Sequence, residues 1–399
     1  MLLLTFSGER QRRVQRYACR GCGRSFSKRR LCRKRYGQRF VWEVVRRHVE
    51  GRESYRLIAR ELHRQTGRKI SPTSLQQMVQ AVAVGCKTAW EMSWELKPRW
   101  DGYLVVDEKM VSWRGRQQWF YEAIDRTGDV VHWRAVSDLT VNEATQFLEE
   151  VAELRYHCRG VVSDLDESLR RAVELVYVGK PHQYCIKHAL AALDKLIQYT
   201  PAVQQQQRMR SELRKQFLRL PDRKGVWRDR SRVGFVLRWQ QTRGQSRYYR
   251  ATVELHEWCR TILLAKTEDQ AGESFKQLRG LRTPLREEKH KAINFFERHW
   301  DHLMMYHRVP GLPRTINLAE GFNKQLERRL KTIESFQHRS TAIAYMNLLV
   351  AYLRQKPYTD CRNSRKHLNG KSRLEAASVH KHSNIWVQNC LKKPSPSNR

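Results

Sequence analysis

The chain is short of acidic residues, of cysteine and of long apolar runs, and each shortage excludes a class of protein. Nine cysteines in 399 residues are too few, and odd in number, for a secreted disulfide framework. No apolar run approaches the roughly 18 residues of a membrane-spanning helix. The opening MLLLTF lacks the charged segment of a signal peptide. We therefore expect a cytoplasmic protein without a membrane partner, associated with the nucleoid if the source is bacterial.

The shortage of acid leaves a large excess of positive charge. Lys and Arg total 77 against 40 Asp and Glu, which gives a formal net charge of +37. Such charge repels itself, and a polyanion is the usual partner that relieves the repulsion. A membrane surface is the weaker alternative, because no basic amphipathic helix stands apart from the globular body. The length allows two or three domains, and nucleic acid is the expected partner.

Residues 1–34 form a basic arm with half of a zinc-ribbon motif. Cys19 and Cys22 make one C-x-x-C turn, whereas a tetrahedral zinc site needs four ligands. Residues 1–14 contain no cysteine, and the spacing of Cys32 fits poorly. Zinc binding by Cys19 and Cys22 therefore stays an open alternative, and the flanking arginines are expected to bind phosphate in either case.

Residues 35–97 have the pattern of a helical DNA-binding domain of the helix-turn-helix type. Ser54 is a predicted N-cap, Gly67 a turn, and Ser71-Pro72 a cap followed by the proline favoured at the first helical position. A generic three-helix bundle is the alternative. In a helix-turn-helix domain the start of the third helix reaches base edges. The residues expected there are Ser71, Thr73, Ser74, Gln76 and Gln77.

Beyond this domain the predicted order is strand, strand, strand, helix, strand, helix, strand over residues 98–186. That order is typical of the RNase H-like fold. Residues 187–308 lack strand patterns and are predicted to be an all-helical insertion, and residues 309–356 complete the core. A basic tail is expected over residues 357–399. The predicted fold class is mixed α+β, an interrupted RNase H-like catalytic core.

Three carboxylates are placed to meet in such a core. Asp107 ends the predicted first strand, Asp164 ends the fourth, and Glu320 lies on a predicted helix over residues 315–330. The first and fourth strands of an RNase H-like sheet are adjacent. Three converging carboxylates repel one another, and divalent cations remove that penalty. Two Mg²⁺ ions in such a site catalyse phosphoryl transfer.

Other acidic residues are predicted to be structural. Glu108 points to the opposite face of the strand from Asp107. Asp125 and Asp129 flank a predicted hairpin turn. Asp166 lies where the helix after Asp164 begins, a position that favours acidic side chains.

Four segments together resemble the Mutator-like group of DDE transposases, which includes many bacterial insertion-sequence enzymes. Two are the strand that ends in Asp107 and the strand–helix unit around Asp164. The others are QYCIKH and TINLAEGFNKQL, similar to the group's Q-x-C-x-x-H and T-x-N-x-x-E-x-x-N-x-x-L signatures. The signature positions are Gln183, Cys185, His188, Thr315, Asn317, Glu320, Asn323 and Leu326.

The resemblance implies that Asp107, Asp164 and Glu320 bind two catalytic Mg²⁺ or Mn²⁺ ions. Cys185 and His188 match the group's C/D-x-x-H motif, with either a structural or a direct chemical role. Asn317 either orients Glu320 or caps its helix.

The resemblance also implies contacts with double-stranded DNA. Lys324, Arg328 and Lys331 follow Glu320 along the helix and are expected to face phosphates. Trp300 is the candidate for stacking on a flipped base, although packing in the insertion is the simpler role. The implied protein is a homodimer or higher homo-oligomer.

The implied function is that of a DNA transposase, which binds the terminal inverted repeats of its element and joins them to target DNA. A non-catalytic DNA-binding regulator derived from a transposase is one alternative. The other is an RNase H-like nuclease that cuts without joining.

Overall fold

The computed structural model describes residues 16–18, 25–27, 36–113, 116–218, 230–331, 333, 336, 338–379 and 386–391. Strands β1 (Arg16–Ala18) and β2 (Ser25–Ser27) pair antiparallel. Cys19 and Cys22, for which zinc binding was left as an open alternative, lie outside the described residues.

A helical module follows the hairpin, as predicted. It contains α1 (Gln38–Val49), α2 (Tyr55–Thr66), α3 (Pro72–Val84) and α4 (Ala89–Leu96). Each helix buries an apolar stripe, and the module packs on the helix Arg339–Gln355.

The predicted helix signals of the module are confirmed. The Ser54 hydroxyl accepts a hydrogen bond from the backbone N–H of Leu57 at 3.2 Å, and that of Ser71 accepts from Ser74 at 3.1 Å. Both bonds satisfy N–H groups that have no partner within the helix. Gly67 ends α2 in the left-handed conformation, with φ of 70°, which glycine adopts without steric cost.

A mixed five-stranded sheet forms the centre of the molecule. Its strands lie in the order β5-β4-β3-β6-β7. Strands β3 to β5 pair antiparallel, whereas β3, β6 and β7 run parallel. The bounds are β3 (Tyr103–Trp113), β4 (Arg116–Asp125), β5 (Val130–Val136), β6 (Gly160–Ser163) and β7 (His182–Tyr184).

One predicted strand boundary is wrong. Asp107 was expected to end its strand, but β3 continues to Trp113 because β4 pairs with it along this whole length. The parallel partner β6 is much shorter, and its last pair with β3 joins Val105 and Val162. Asp107 therefore lies where β3 has already lost its β6 neighbour.

Helices cover one face of the sheet directly. They are α5 (Val141–Glu153) and α6 (Glu167–Val176), which pack with Leu104 and Val106 of β3. Asp166 caps α6, as predicted for an acidic residue there. Its carboxylate accepts from the backbone N–H groups of Ser168 and Leu169.

The predicted insertion is helical in its described residues. A separate apolar core lies between its helices. The bounds are α7 (Ile186–Leu196), α8 (Tyr199–Leu218), α9 (Arg230–Leu263), α10 (Glu268–Gly280) and α11 (Arg286–Arg308).

Two further helices cover the opposite face of the sheet. These are α12 (Asn317–Leu330) and α13 (Arg339–Gln355), which share an apolar core with Tyr103 and Val105. Phe322 and Leu326 of α12 are buried, as their spacing predicted. The N-terminal helical module packs on α13.

The expected basic tail is in part folded. It includes a 3₁₀ helix (Asn363–Leu368), α14 (Arg373–Ala376) and α15 (Trp386–Cys390). Leu374 and Cys390 are buried against the core, so the few apolar residues of this basic segment are enough to dock it. Among the described residues, no helix is both long and apolar enough to cross a membrane.

Candidate metal centre

Three carboxylates lie together at the edge where β6 ends. Asp107 and Glu108 belong to β3, and Asp164 directly follows β6. One oxygen from each of the three side chains lies within 4.8 Å of the others. The sequence therefore predicted correctly that Asp107 and Asp164 would meet, because adjacent parallel strands deliver their ends to the same edge.

The prediction that Glu108 points away from the site is wrong, because its carboxylate belongs to the cluster. Side chains of β3 do alternate, with Val105 on the α12 face and Val106 on the α5 and α6 face. Beyond Ser163, however, β6 no longer separates the two faces. The carboxylates of Asp107 and Glu108 consequently both reach Asp164 around the open strand edge.

Burial and mutual repulsion disfavour the charged forms of this cluster. Burial, with the Asp164 charge, raises the pKa of Asp107 to about 7. The same causes raise the pKa of Glu108 to about 8, and burial raises the pKa of Asp164. Among the described residues, no lysine or arginine forms an ion pair with any of the three.

This donor set fits a divalent metal ion. All three ligands are carboxylates, the ligand type that Mg²⁺ and Mn²⁺ prefer. The Glu108 Oε2 atom is buried and has no hydrogen-bond partner among the described residues. A bound cation would satisfy that oxygen and relieve the repulsion.

Glu320 lies outside this closest cluster. It belongs to the first turn of α12, and its Oε2 accepts a hydrogen bond from Lys187 Nζ at 3.0 Å. Its charge nevertheless contributes to the raised pKa of Asp107, so it lies within electrostatic reach. Asn317 is exposed at the start of α12, where Ile316 occupies the cap position and no side chain caps the helix.

Sequence reasoning missed a further acid, Glu122, which lies opposite Asp107 in the β3–β4 pairing. Its side chain is fully buried, and burial raises its pKa well above the ordinary value. Asn323 of α12 donates from Nδ2 to Glu122 Oε1 at 2.7 Å and to Asp107 Oδ2 at 3.4 Å. The available signal was an acid on the inward face of β4, between Phe120 and Ile124.

Cys185 and His188 lie beside the acids. Cys185 is fully buried at the cap position of α7, directly after β7. Interaction with the Cys185 side chain is the main cause that raises the pKa of His188 to about 9, and the charges of Asp164 and Asp107 add to it. The half-buried imidazole therefore favours its cationic form next to the carboxylates.

The acids predicted to be structural at the hairpin turn have structural partners. Asp125 accepts hydrogen bonds from Tyr156 Oη at 2.7 Å and from the backbone N–H of Thr127 at 2.9 Å. Asp129 forms a fully buried ion pair with Arg354.

The predicted DNA-contacting side chains are mostly on the surface. Lys324, Arg328 and Lys331 are exposed along α12. On α3, Thr73, Gln76 and Gln77 are exposed, as is Ser71 at the cap, and Ser74 is half-buried. Trp300 is half-buried, and its ring stacks on Phe275 with centroids 5.2 Å apart. Trp300 therefore packs in the insertion, and its stacking on a flipped base stays a prediction.

Comparisons with known proteins identify no family. No family model matches the chain, and no curated protein matches it. Among solved structures it is similar to the Drosophila P element transposase strand transfer complex, with 10% sequence identity and a TM-score of 0.39. That likeness covers 81% of this chain and 93% of the other. At this identity and TM-score, the likeness establishes neither a family nor an activity.

Proposed function

We propose that this chain is a metal-dependent DNA transposase with an RNase H-like core, of the Mutator-like insertion-sequence type. It binds the ends of its element, hydrolyses a phosphodiester bond there and joins the freed end to target DNA. The observation that carries the proposal is the half-buried cluster of Asp107, Glu108 and Asp164, in which one oxygen of each carboxylate lies within 4.8 Å of the others and no lysine or arginine forms an ion pair among the described residues.

The position of the cluster in the sheet supports this proposal. The order β5-β4-β3-β6-β7 makes the core's first strand, β3, the neighbour of its fourth strand, β6. This is the adjacency that an RNase H-like core uses to bring two catalytic aspartates together. Glu320 follows on a helix after a helical insertion, where the third acid of such transposases is expected.

The proposed metal ligands are Asp107, Asp164 and Glu320. Glu108 is a further proposed ligand, because its carboxylate lies with those of Asp107 and Asp164. Two Mg²⁺ or Mn²⁺ ions held there would activate the attacking oxygen and stabilise the leaving oxygen of phosphoryl transfer. Asn323 holds the Asp107 carboxylate through a hydrogen bond. Lys187 neutralises Glu320 across 3.0 Å.

The charge distribution supports DNA as the substrate. Lys324, Arg328 and Lys331 form an exposed basic stripe that continues from Glu320 along α12. Lysine and arginine contacts with phosphate supply most non-specific DNA affinity. The net charge of +37 is consistent with a chain that binds two pieces of DNA, the element end and the target. We propose a homodimer, which would pair two element ends.

The test is an assay of cutting and joining with duplexes taken from the DNA that flanks the gene. We expect nicking that requires Mg²⁺ or Mn²⁺, followed by a joined product. Asp164→Asn should abolish both steps without changing duplex affinity. The matched control is Asp360→Asn, which changes an exposed aspartate of the C-terminal segment and should leave both steps intact.

The alternatives give different outcomes in the same assay. A nuclease without joining activity would give nicks and no joined product. A regulator would bind the duplex in gel shifts and give no metal-dependent cleavage at all. Either result would contradict the proposed function.

A further inference from the structure

A cleft of about 610 Å³ lies between the N-terminal helical module and the segment that runs from the end of α12 into α13. Residues of α2 and α3, including Tyr55, Gln76 and Gln77, form one wall. Phe336 and Tyr345, after α12 and on α13, form the other. We call this the α2–α13 cleft. Nothing in the proposed transposition chemistry requires it.

Aromatic rings line the cleft. Tyr55 and Phe336 are half-buried, so part of each ring faces the cleft. The His48 imidazole stacks on Tyr55 with centroids 4.0 Å apart, and Phe336 lies 5.7 Å from Tyr345. Rings fixed in this way offer flat apolar surfaces at little further cost in conformational entropy.

The charge of the cleft is positive. Arg52 and Arg56 are exposed at its edge, and neither forms an ion pair with another described residue. Arg329 lies buried at its floor, where Nη2 contacts the His48 imidazole at 2.6 Å. No described lining residue is acidic. Aromatic surfaces with arginines and without acids are typical of sites for single-stranded nucleic acid.

Helix α12 carries both Glu320, a proposed metal ligand, and Arg329, which lines the cleft. Arg329 follows Glu320 by nine positions, 329 minus 320, which is roughly 14 Å along the helix axis and two and a half turns around it. The exposed Lys324 and Arg328 lie between them. This distance equals about four nucleotides at the 3.4 Å spacing of one B-form strand.

We infer that the α2–α13 cleft binds an unpaired segment of one DNA strand, one or two nucleotides long, beside the cleavage point. A pocket of this volume takes a ligand of that size. Tyr55 and Phe336 stack on bases, Arg52 and Arg56 bind phosphate, and Gln76 and Gln77 hydrogen-bond to base edges. That the strand comes from an opened element end rests on the proposed function. The binding of a single strand to the cleft does not.

The experiment measures binding of the full chain to a fluorescent ten-nucleotide oligothymidine and to a duplex of equal length. EDTA is present, so that cleavage plays no part. Tyr55→Leu should weaken single-strand binding about tenfold through loss of stacking, whereas Tyr55→Phe should keep it. Duplex binding should change less than twofold in both variants.

A second pair of variants tests the arginines without disturbing the core. Arg56→Ala should weaken single-strand binding and lower its salt slope by about 0.7. The matched control is Arg64→Ala, an exposed arginine of the same helix outside the cleft, which should do neither.

Three outcomes would overturn the inference. The first is single-strand affinity that is unchanged both in Arg56→Ala and in a folded Tyr55→Leu chain. The second is a loss of duplex affinity as large as the loss of single-strand affinity. The third is a loss of single-strand affinity in Arg64→Ala equal to that in Arg56→Ala. Thermal melting followed by circular dichroism checks that Tyr55→Leu is folded. A chain that binds single strands through the cleft but never cleaves DNA would contradict the proposed function and support the inference that the cleft binds single-stranded DNA.

Discussion

Acids at two places in the same sheet have different surroundings. Asp129, directly before β5, is fully buried and accepts two hydrogen bonds from the Arg354 guanidinium at 2.8 and 2.9 Å and one from Trp100 Nε1 at 3.0 Å. Asp107, Glu108 and Asp164 are half-buried and form no ion pair with a lysine or arginine among the described residues, and their basic neighbour is the His188 imidazole. Burial of an unpaired carboxylate is costly, so the first group stabilises the fold and the second is kept for another purpose.

The chemistry of each group matches its surroundings. The Asp129–Arg354 pair joins the hairpin turn to α13, and Arg354 also donates to the Ala89 carbonyl oxygen of α4 at 3.0 Å. It is therefore complete without a ligand. The cluster leaves Glu108 Oε2 buried without a partner and raises the pKa values of its members. A bound divalent cation would complete it.

The largest expected effect comes from Asp107→Asn. Loss of a metal ligand removes several kcal/mol of transition-state stabilisation, so DNA cleavage should fall roughly ten-thousandfold. The free energy of unfolding should stay equal or rise, because one repelling charge is removed. Cleavage assays and urea titration measure the two quantities. Cleavage within tenfold of the unsubstituted chain would remove Asp107 from the metal centre.

The same chemical change at Asp129 should have the opposite result. Asp129→Asn leaves Arg354 buried without its counter-charge, which should lower the free energy of unfolding by about 4 kcal/mol. At a temperature where the variant is folded, we expect cleavage within about threefold of the unsubstituted chain, since Asp129 lies outside the cluster. Urea titration measures the first effect. A stability loss in Asp107→Asn equal to that in Asp129→Asn would mean that the two groups do not differ.

The comparison also predicts an unusual pH dependence. The folded-state pKa values of Asp107 and Glu108, about 7 and 8, lie above those of an unfolded chain. The folded state therefore binds more protons, and the metal-free protein should lose stability by several kcal/mol as pH rises from about 4 to 8. Affinity for Mn²⁺ should rise over the same range, because the ligands must lose their protons.

The reference for this pH test is the double variant Asp107→Asn/Glu108→Gln. Its two amides do not titrate, so the difference in unfolding free energy between it and the unsubstituted chain reports Asp107 and Glu108 together with their electrostatic effect on His188. Lowered-pKa histidines such as His48 act in the opposite direction and cancel in this difference. Parallel pH profiles for the two proteins would contradict the assigned shifts.

The smallest expected effect concerns Asn323, which joins Asp107 to Glu122. Asn323→Ala should weaken Mn²⁺ binding about tenfold, the usual result of removing a hydrogen bond to a metal ligand. Isothermal titration with Mn²⁺ measures this without DNA. Gln325→Ala is the matched control, since this half-buried amide of the same helix lies beside Val49 and Glu50 and should leave Mn²⁺ affinity unchanged. Equal effects of the two variants would remove Asn323 from the support of the site.

Much of the fold follows from local signals in the sequence. The caps at Ser54, Ser71 and Asp166 were readable because an N-cap side chain bonds within its own helix turn. The hairpin turn between Asp125 and Asp129 and the apolar stripe of α12 depend likewise on neighbouring residues. Strand length was less predictable, since β3 reaches Trp113 only through its pairing with β4.

The sequence by itself determined that Asp107, Asp164 and Glu320 follow or occupy elements of an alternating β and α chain, and that the chain carries a large positive charge. Only the tertiary structure decided which side chains meet. Asn323 and Asp107 are 216 positions apart, and Lys187 and Glu320 are 133 apart. The early end of β6 brought Glu108 into the cluster, and the pairing of β3 with β4 placed Glu122 behind it. Such contacts depend on register and strand length, which are set by distant partners and not by local sequence.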